Sequence, residues 1–244
     1  MRVAPVTLTT RNPLMKDEVK TYTIHRATTP PSIKAEVGVV PPGWTKAEVG
    51  TITDWHPKSG SHRPWVNFRV LYDAHALYVR FDVMDRFVRS IYTKPQSAVC
   101  RDSCVEFFVQ PAPGPAYFNF EINAGGTPLL YFIEDPRRLP VGGFAKFGPV
   151  GADWLRQVEI NRSLPATVKR TIEGPIAWSI AYRIPLALFT AHLGELSVTR
   201  GDVWRGNFFK CGGDPAYSHW GMWSSVGREL NFHQPRRFGD LVFG

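Results

Sequence analysis

Leu77, Val79, Phe81 and Val83 alternate with Tyr78, Arg80 and Asp82 without a break. A period of two puts the apolar set on one face of an extended strand, whereas a helix would scatter the same residues around its circumference. Val66-Asn67-Phe68-Arg69-Val70-Leu71-Tyr72 precedes it, separated by the turn Asp73-Ala74-His75, so the two runs predict a hairpin in a sheet with one buried side. Val105 to Val109 and Tyr117 to Ile122 predict a second hairpin around the turn-rich Pro111-Ala112-Pro113-Gly114-Pro115. Further strands are expected at Lys20 to Arg26, Leu129 to Ile133, Gln157 to Asn161, Trp178 to Ile184, Trp204 to Lys210, Met222 to Ser225 and Leu241 to Phe243. One short helix is expected from Pro185 to Leu193, closed by Gly194. Glycine and proline, 21 of each in 244 residues, favour many short elements over long helices. The fold class expected is therefore all-β, an antiparallel β-sandwich of jelly-roll or immunoglobulin-like kind with one or two short helices. No repeat or linker divides the chain, which reads as a single domain over 1–244 with an irregular lead-in at 1–50.

Lysine and arginine exceed aspartate and glutamate by 29 to 21, a net charge of +8. The cations are dispersed, with no run longer than the pairs Arg137-Arg138 and Arg236-Arg237, so a nucleic-acid-binding arm is not expected. No window approaches the ~18 apolar residues of a membrane span. Met1 to Lys20 lacks the apolar centre of a signal peptide, which leaves a cytoplasmic protein or one whose signal was removed. Three cysteines, Cys100, Cys104 and Cys211, show no CxxC spacing and are expected to be reduced and mostly buried, without a zinc site. No GxSxG, HExxH or P-loop motif is present.

The block with most chemistry is Arg101-Asp102-Ser103-Cys104-Val105-Glu106-Phe107-Phe108-Val109 followed by Tyr117 to Asn123. With Val105, Phe107 and Val109 inward, Glu106, Phe108 and Gln110 turn outward; with Phe118, Phe120 and Ile122 inward, so do Asn119, Glu121 and Asn123. A polar face bordered by Tyr117 and Phe108 suits a sugar, whose hydroxyls pair with carboxylates and amides while its C–H faces stack on rings. Glu106 and Asn123 are the expected hydroxyl partners, with Glu121 and Arg101 as helpers. Trp220 and Trp223, in loop-like sequence, and Phe232 are the expected apolar platforms. The same outward face is also what a merely solvated sheet presents. Glu106 and Glu121 on neighbouring strands further suit a glycosidase pair, which keeps a hydrolase or lyase open as an alternative. A structural or interaction module is the other alternative.

Taken in order, Val83-Met84-Asp85, Asp102 to Phe108, Phe120-Glu121-Ile122-Asn123 with Gly126, Trp178 to Pro185, Trp204 to Phe208 and His233 to Gly239 resemble family 9 carbohydrate-binding modules, above all their stand-alone family 9-like relatives. The resemblance covers roughly Val66 to Phe243. It implies a DOMON-like β-sandwich, often calcium-stabilised, which holds sugar ends between two tryptophans, and an association with glycoside hydrolases. By position, the acidic ligand of that site matches Glu106. The tryptophans fall near Cys100 and Phe232 and the site arginine near Glu121, three departures from the pattern. The resemblance makes an oligo- or polysaccharide the expected partner. No cofactor is assigned; calcium is left open, with Asp82, Asp85 and Asp102 as the candidate ligands that the residues offer, although no EF-type loop is present.

Overall fold

The computed structural model, which describes residues 19–214 and 216–244, forms strands at the runs where period-two alternation predicts them. The expectation about a signal segment at the amino end lies almost entirely outside the described residues. Two sheets face each other. One comprises β10 (Glu159–Arg162), β11 (Val168–Pro185), β5 (Ala76–Ser90) and β4 (Trp65–Tyr72), with the short β2 (Gly50–Thr51) beside β4. The other comprises β14 (Gly239–Phe243), β12 (Val203–Gly212), β6 (Cys104–Gln110), β7 (Tyr117–Asn123), β8 (Pro128–Arg138) and β9 (Phe144–Pro149). On its free side β12 also pairs with β13 (His219–Met222), which pairs with β3 (Asp54–Trp55).

The expected β-sandwich is present, with one correction to its strand directions. β1 (Thr21–Arg26) runs parallel to β14 through Thr21 to Ile24 and parallel to β4 through His25 and Arg26, so it passes from one sheet to the other. The remaining pairings among the described residues are antiparallel. The β4–β5 hairpin turns where Asp73 was expected to turn it: its Oδ1 accepts from the amides of His75 at 2.7 Å and Ala76 at 2.8 Å, answering groups that the ladder leaves unpaired. Inward rings interleave between the sheets. Phe68 stacks on Phe208 with centroids 3.6 Å apart, and Phe208 on Phe107 at 4.8 Å. A fully buried ring in such a core contributes ~3–5 kcal/mol against truncation to alanine.

The expected open side of the first sheet is covered instead. Arg80 and Tyr78, assigned outward by alternation, are buried beneath the stretch that was read as an irregular lead-in. The Arg80 guanidinium donates to the carbonyls of Lys34 at 3.0 Å, Glu36 at 2.9 Å and Val39 at 2.9 Å, and Trp44 packs with Leu71, Ala76 and Tyr78. Alternation identifies the two faces but not what lies over each. β5 and β11 are much longer than expected, the strand expected at Met222 to Ser225 lies at His219–Met222, and α1 (Ala152–Gln157), β2, β3 and β9 were not anticipated. The helix α2 (Leu186–Leu193) lies where expected, ended by Gly194 at φ 82°.

Candidate functional site

The outward positions of β12, β6 and β7 form rows across the second sheet. Cys211, Cys104 and Asn123 make one row, Phe209, Glu106 and Glu121 the next, and Asn207, Phe108 and Asn119 a third. Inward positions obey the expected alternation: Val105, Phe107, Val109, Phe118, Phe120 and Ile122 all lie in the core between the sheets. The outward face is not simply solvated. Phe108, Tyr117 and Phe209 join Phe144, Phe232 and Phe238 in a second hydrophobic cluster, with Phe209 stacked on Phe232 at 4.1 Å. This cover leaves a cleft of about 330 Å³ over Glu106 and Glu121.

Five of the expected site residues meet there. Glu106 and Glu121 lie in the cleft with Arg101, Trp220 and Phe232. Two do not. Asn123 is fully buried, its Nδ2 donating to Asp102 Oδ2 at 2.9 Å and to the Tyr92 carbonyl at 2.8 Å while its Oδ1 accepts from the Thr127 amide, so its amide is consumed in holding adjacent loops. Trp223 turns inward and packs edge-on against Tyr22, Phe68 and Phe208. Cys100, Arg138, Cys211, Gly213, Leu230, Asn231 and His233 complete the lining. Of these, only Cys100 was marked beforehand, through the resemblance. Arg138 donates to Asn231 Oδ1 at 3.0 Å and covers the Phe144 ring at 4.1 Å. His233 meets the Tyr117 hydroxyl at 2.8 Å, and burial pushes its pKa down to about 3.

The carboxylates in the floor carry unusual electrostatics. Glu106 and Glu121 are directly opposite in register and only 2% and 6% exposed. Among the described residues, no lysine, arginine or histidine lies within ion-pair distance of either. Burial pushes the Glu106 carboxyl well above the ordinary range, with the Cys211 thiol and the Glu121 charge adding to it. Burial raises Glu121 to about 7, against the opposing hydrogen bonds from Asn119 at 2.8 Å and from the Cys100 thiol. Such a pair, at rest partly or wholly protonated, offers both hydrogen-bond donors and acceptors to a polar ligand.

The three aspartates that are candidate calcium ligands do not converge. Asp82 accepts from Arg69, Arg80 and Ser179; Asp85 accepts from His62 and Trp178 beside Lys210; Asp102 accepts from the amides of Ile91 and Tyr92 and from Asn123. Asp102 Oδ1 is the one of these oxygens without a hydrogen bond among the described residues; the others are already answered by N–H and O–H donors and cations, and a single free oxygen does not make a calcium site, which takes 6–8 oxygen ligands. A smaller hollow of about 220 Å³ lies on the first sheet beside Trp65 and Met84, but its acid, Asp82, is already paired to Arg69 and Arg80.

The sequence matches a family model described as Carbohydrate-binding family 9 over residues 44–243. Among solved structures, a candidate carbohydrate-binding protein from Bacteroides uniformis is 25% identical with a TM-score of 0.79, the match covering 93% of this chain and 100% of that one. A family 9 module from Caldicellulosiruptor kristjanssonii in complex with cellotriose gives a TM-score of 0.60 at 16% identity, over 92% of this chain and 93% of that one. A family 9 module from Caldicellulosiruptor kristjanssonii in complex with glucose gives a TM-score of 0.60 at 15% identity, over 92% of this chain and 96% of that one. No curated protein matches the chain significantly. No helix among the described residues is long and apolar enough to cross a membrane.

Proposed function

The chain belongs to carbohydrate-binding family 9, and we propose that it binds a short stretch of glycan, without cleaving it, in the cleft over Glu106 and Glu121. The observation that carries this reading is convergence. Glu106, Glu121, Cys100 and Phe232, the positions at which the family's sugar ligands fall by resemblance, come from three separate stretches of sequence and line one cleft. Its volume of about 330 Å³ lies at the lower end of the ~300–1,000 Å³ typical of small-ligand sites, which suits one or two sugar rings. Trp220 supplies the stacking surface that Cys100 does not, with the Phe232 edge opposite. Glu106, Glu121 and Asn231 exchange hydrogen bonds with hydroxyls, and Arg101 and Arg138 donate from the rim. Neighbours in complex with cellotriose and glucose make β-glucans the first ligands to try.

Cleavage is the second reading, favoured by one observation: two carboxyls with raised pKa values face each other across adjacent strands. One experiment separates the two. Calorimetric titration with neutral oligosaccharides, beside a reducing-end assay on the same samples, is run on wild type and Glu106→Gln. Binding heat without products, weakened about tenfold by loss of a hydrogen bond in Glu106→Gln, is the expected result. Products that vanish in Glu106→Gln while binding survives would make the protein an enzyme, and silence in both channels would favour an interaction module.

A further inference from the structure

Cys104 and Cys211 face each other across β6 and β12, and Glu106 follows on the same face of β6. The Cys211 sulfur is 3.1 Å from Glu106 Oε1. Both sulfurs and a Glu106 oxygen lie within 4.8 Å of one another, and all three residues are buried. Sequence spacing gave no hint of this, because the two thiols lie 107 positions apart and only strand register unites them.

Two thiols and one carboxylate are a donor set for a borderline-soft cation, not for calcium. Around a tetrahedral zinc ion, bonds of ~2.3 Å to sulfur and ~2.1 Å to oxygen hold the ligand atoms roughly 3.5–3.8 Å apart. The Cys211–Glu106 pair at 3.1 Å therefore needs to open by about 0.5 Å and the other pairs to close by at most about 1.3 Å, side-chain adjustments. A second observation points the same way: Glu106 is a buried carboxylate with no cation in ion-pair reach among the described residues, a position that a bound cation would answer.

We propose that Cys104, Cys211 and Glu106 bind a thiophilic divalent cation of the zinc class in the floor of the cleft. Glu106 and Cys211 line the cleft and Cys104 lies behind them, so three protein ligands approach from the floor and the fourth position opens to the cleft. Water or a ligand oxygen takes that position. The cation replaces the protons on its ligands, which pass to solvent. This site shares Glu106 and the cleft with the glycan reading, but its test reads metal binding alone, so the failure of one does not decide the other.

The test uses the full chain, reduced with a phosphine, stripped with a chelator and titrated anaerobically with Co²⁺. One equivalent is expected to produce the near-ultraviolet thiolate-to-cobalt charge-transfer band, and Zn²⁺ is expected to bleach it by displacement. Cys104→Ser and Cys211→Ser are each expected to weaken cobalt binding by more than ~100-fold, since even outer-shell losses reach that range. Cys104→Ala and Cys211→Ala are run in parallel, because they leave no unpaired hydroxyl in a buried site, and far-ultraviolet circular dichroism checks the fold of every variant. Cys100→Ser should keep the band with affinity within about threefold, a change under ~0.7 kcal/mol. The proposal is overturned if reduced wild type shows no saturable thiolate band. It is equally overturned if the band survives in the folded Cys104→Ala/Cys211→Ala double variant.

Discussion

Lys210 and Cys211 are neighbours on β12, yet alternation sends them to opposite faces and into opposite electrostatic environments. On the inner face, Lys210 lies 3.5 Å from Asp85 Oδ2 and donates to His219 Nε2 at 2.7 Å, while His62 meets Asp85 Oδ1 at 2.7 Å. Burial alone would raise the Asp85 carboxyl, but the Lys210 charge and the His62 bond outweigh it and hold that carboxyl well below its usual range. On the outer face, Glu106 and Glu121 are as deeply buried, without a paired cation, and both are raised. Burial therefore does not decide the state of a carboxyl in this fold; the cation within reach does. The inner cluster is a closed network that fixes the packing of the sheets. The outer one is uncompensated and opens on a cleft, the arrangement that marks a site for a ligand.

The sharpest break of this contrast removes one partner from each side. Lys210→Met leaves Asp85 buried without its cation and is expected to cost about 3–5 kcal/mol of stability. Glu106→Gln keeps an oxygen for the Cys211 thiol and loses no charge partner, so a change within about 1 kcal/mol is expected. Urea denaturation of both variants measures the difference; equal losses would show that the two centres are compensated alike.

That contrast also shows where sequence reasoning reached and where it stopped. Alternation in Val105 to Val109 and Phe118 to Ile122 placed the faces of β6 and β7 correctly, because side-chain direction in a strand is a local property. It put Glu106 and Glu121 on one face, and the family resemblance added Cys100 and Phe232 to them. It did not foresee that Asp85 would find Lys210, or Cys104 find Cys211, because register between strands so distant in sequence has no local signature. Trp223 was read as a platform and is core, and Asn123 was read as a ligand group and is a loop tie. Trp223 follows the end of β13, where the chain turns and alternation no longer predicts direction; Asn123, the last residue of β7, keeps its outward direction but is covered by the loops it ties. The cover formed by residues 27–47 over Arg80 was invisible for a related reason: a proline-rich stretch without periodicity gives no sign of where it docks.

A smaller effect comes from pH, and the two faces pull in opposite directions. His219 is held neutral, well below its ordinary pKa of 6.5, by burial and then by the Lys210 charge, so the unfolded chain binds the extra proton. Stability contributed by the inner face thus declines as pH falls below about 6.5. Glu121 is raised from 4.5 to about 7, so there the folded chain binds the extra proton. Its contribution is complete below about 4.5 and is lost as pH rises through about 7. Glu121→Gln should therefore gain on wild type between pH 4.5 and 8, by on the order of 1–3 kcal/mol. Denaturant midpoints of the two proteins across that range measure the gain, and parallel curves would mean that Glu121 is ionised in the folded protein.

The smallest effect separates ligand recognition from stability at the rim of the cleft. Arg101 is exposed, and its guanidinium makes no hydrogen bond or ion pair among the described residues, unlike Arg138, which is tied to Asn231 and Phe144. A cation without an internal partner contributes little to folding, so Arg101→Ala should change stability by less than about 0.5 kcal/mol. If the side chain donates to a bound sugar, one hydrogen bond of ~0.5–1.5 kcal/mol is lost, and affinity should fall by roughly 2- to 10-fold. Calorimetry on a ligand found with wild type reads the affinity, and thermal unfolding reads the stability. A loss of stability without a loss of affinity would show Arg101 to be structural and move the recognition surface toward Arg138 and Asn231.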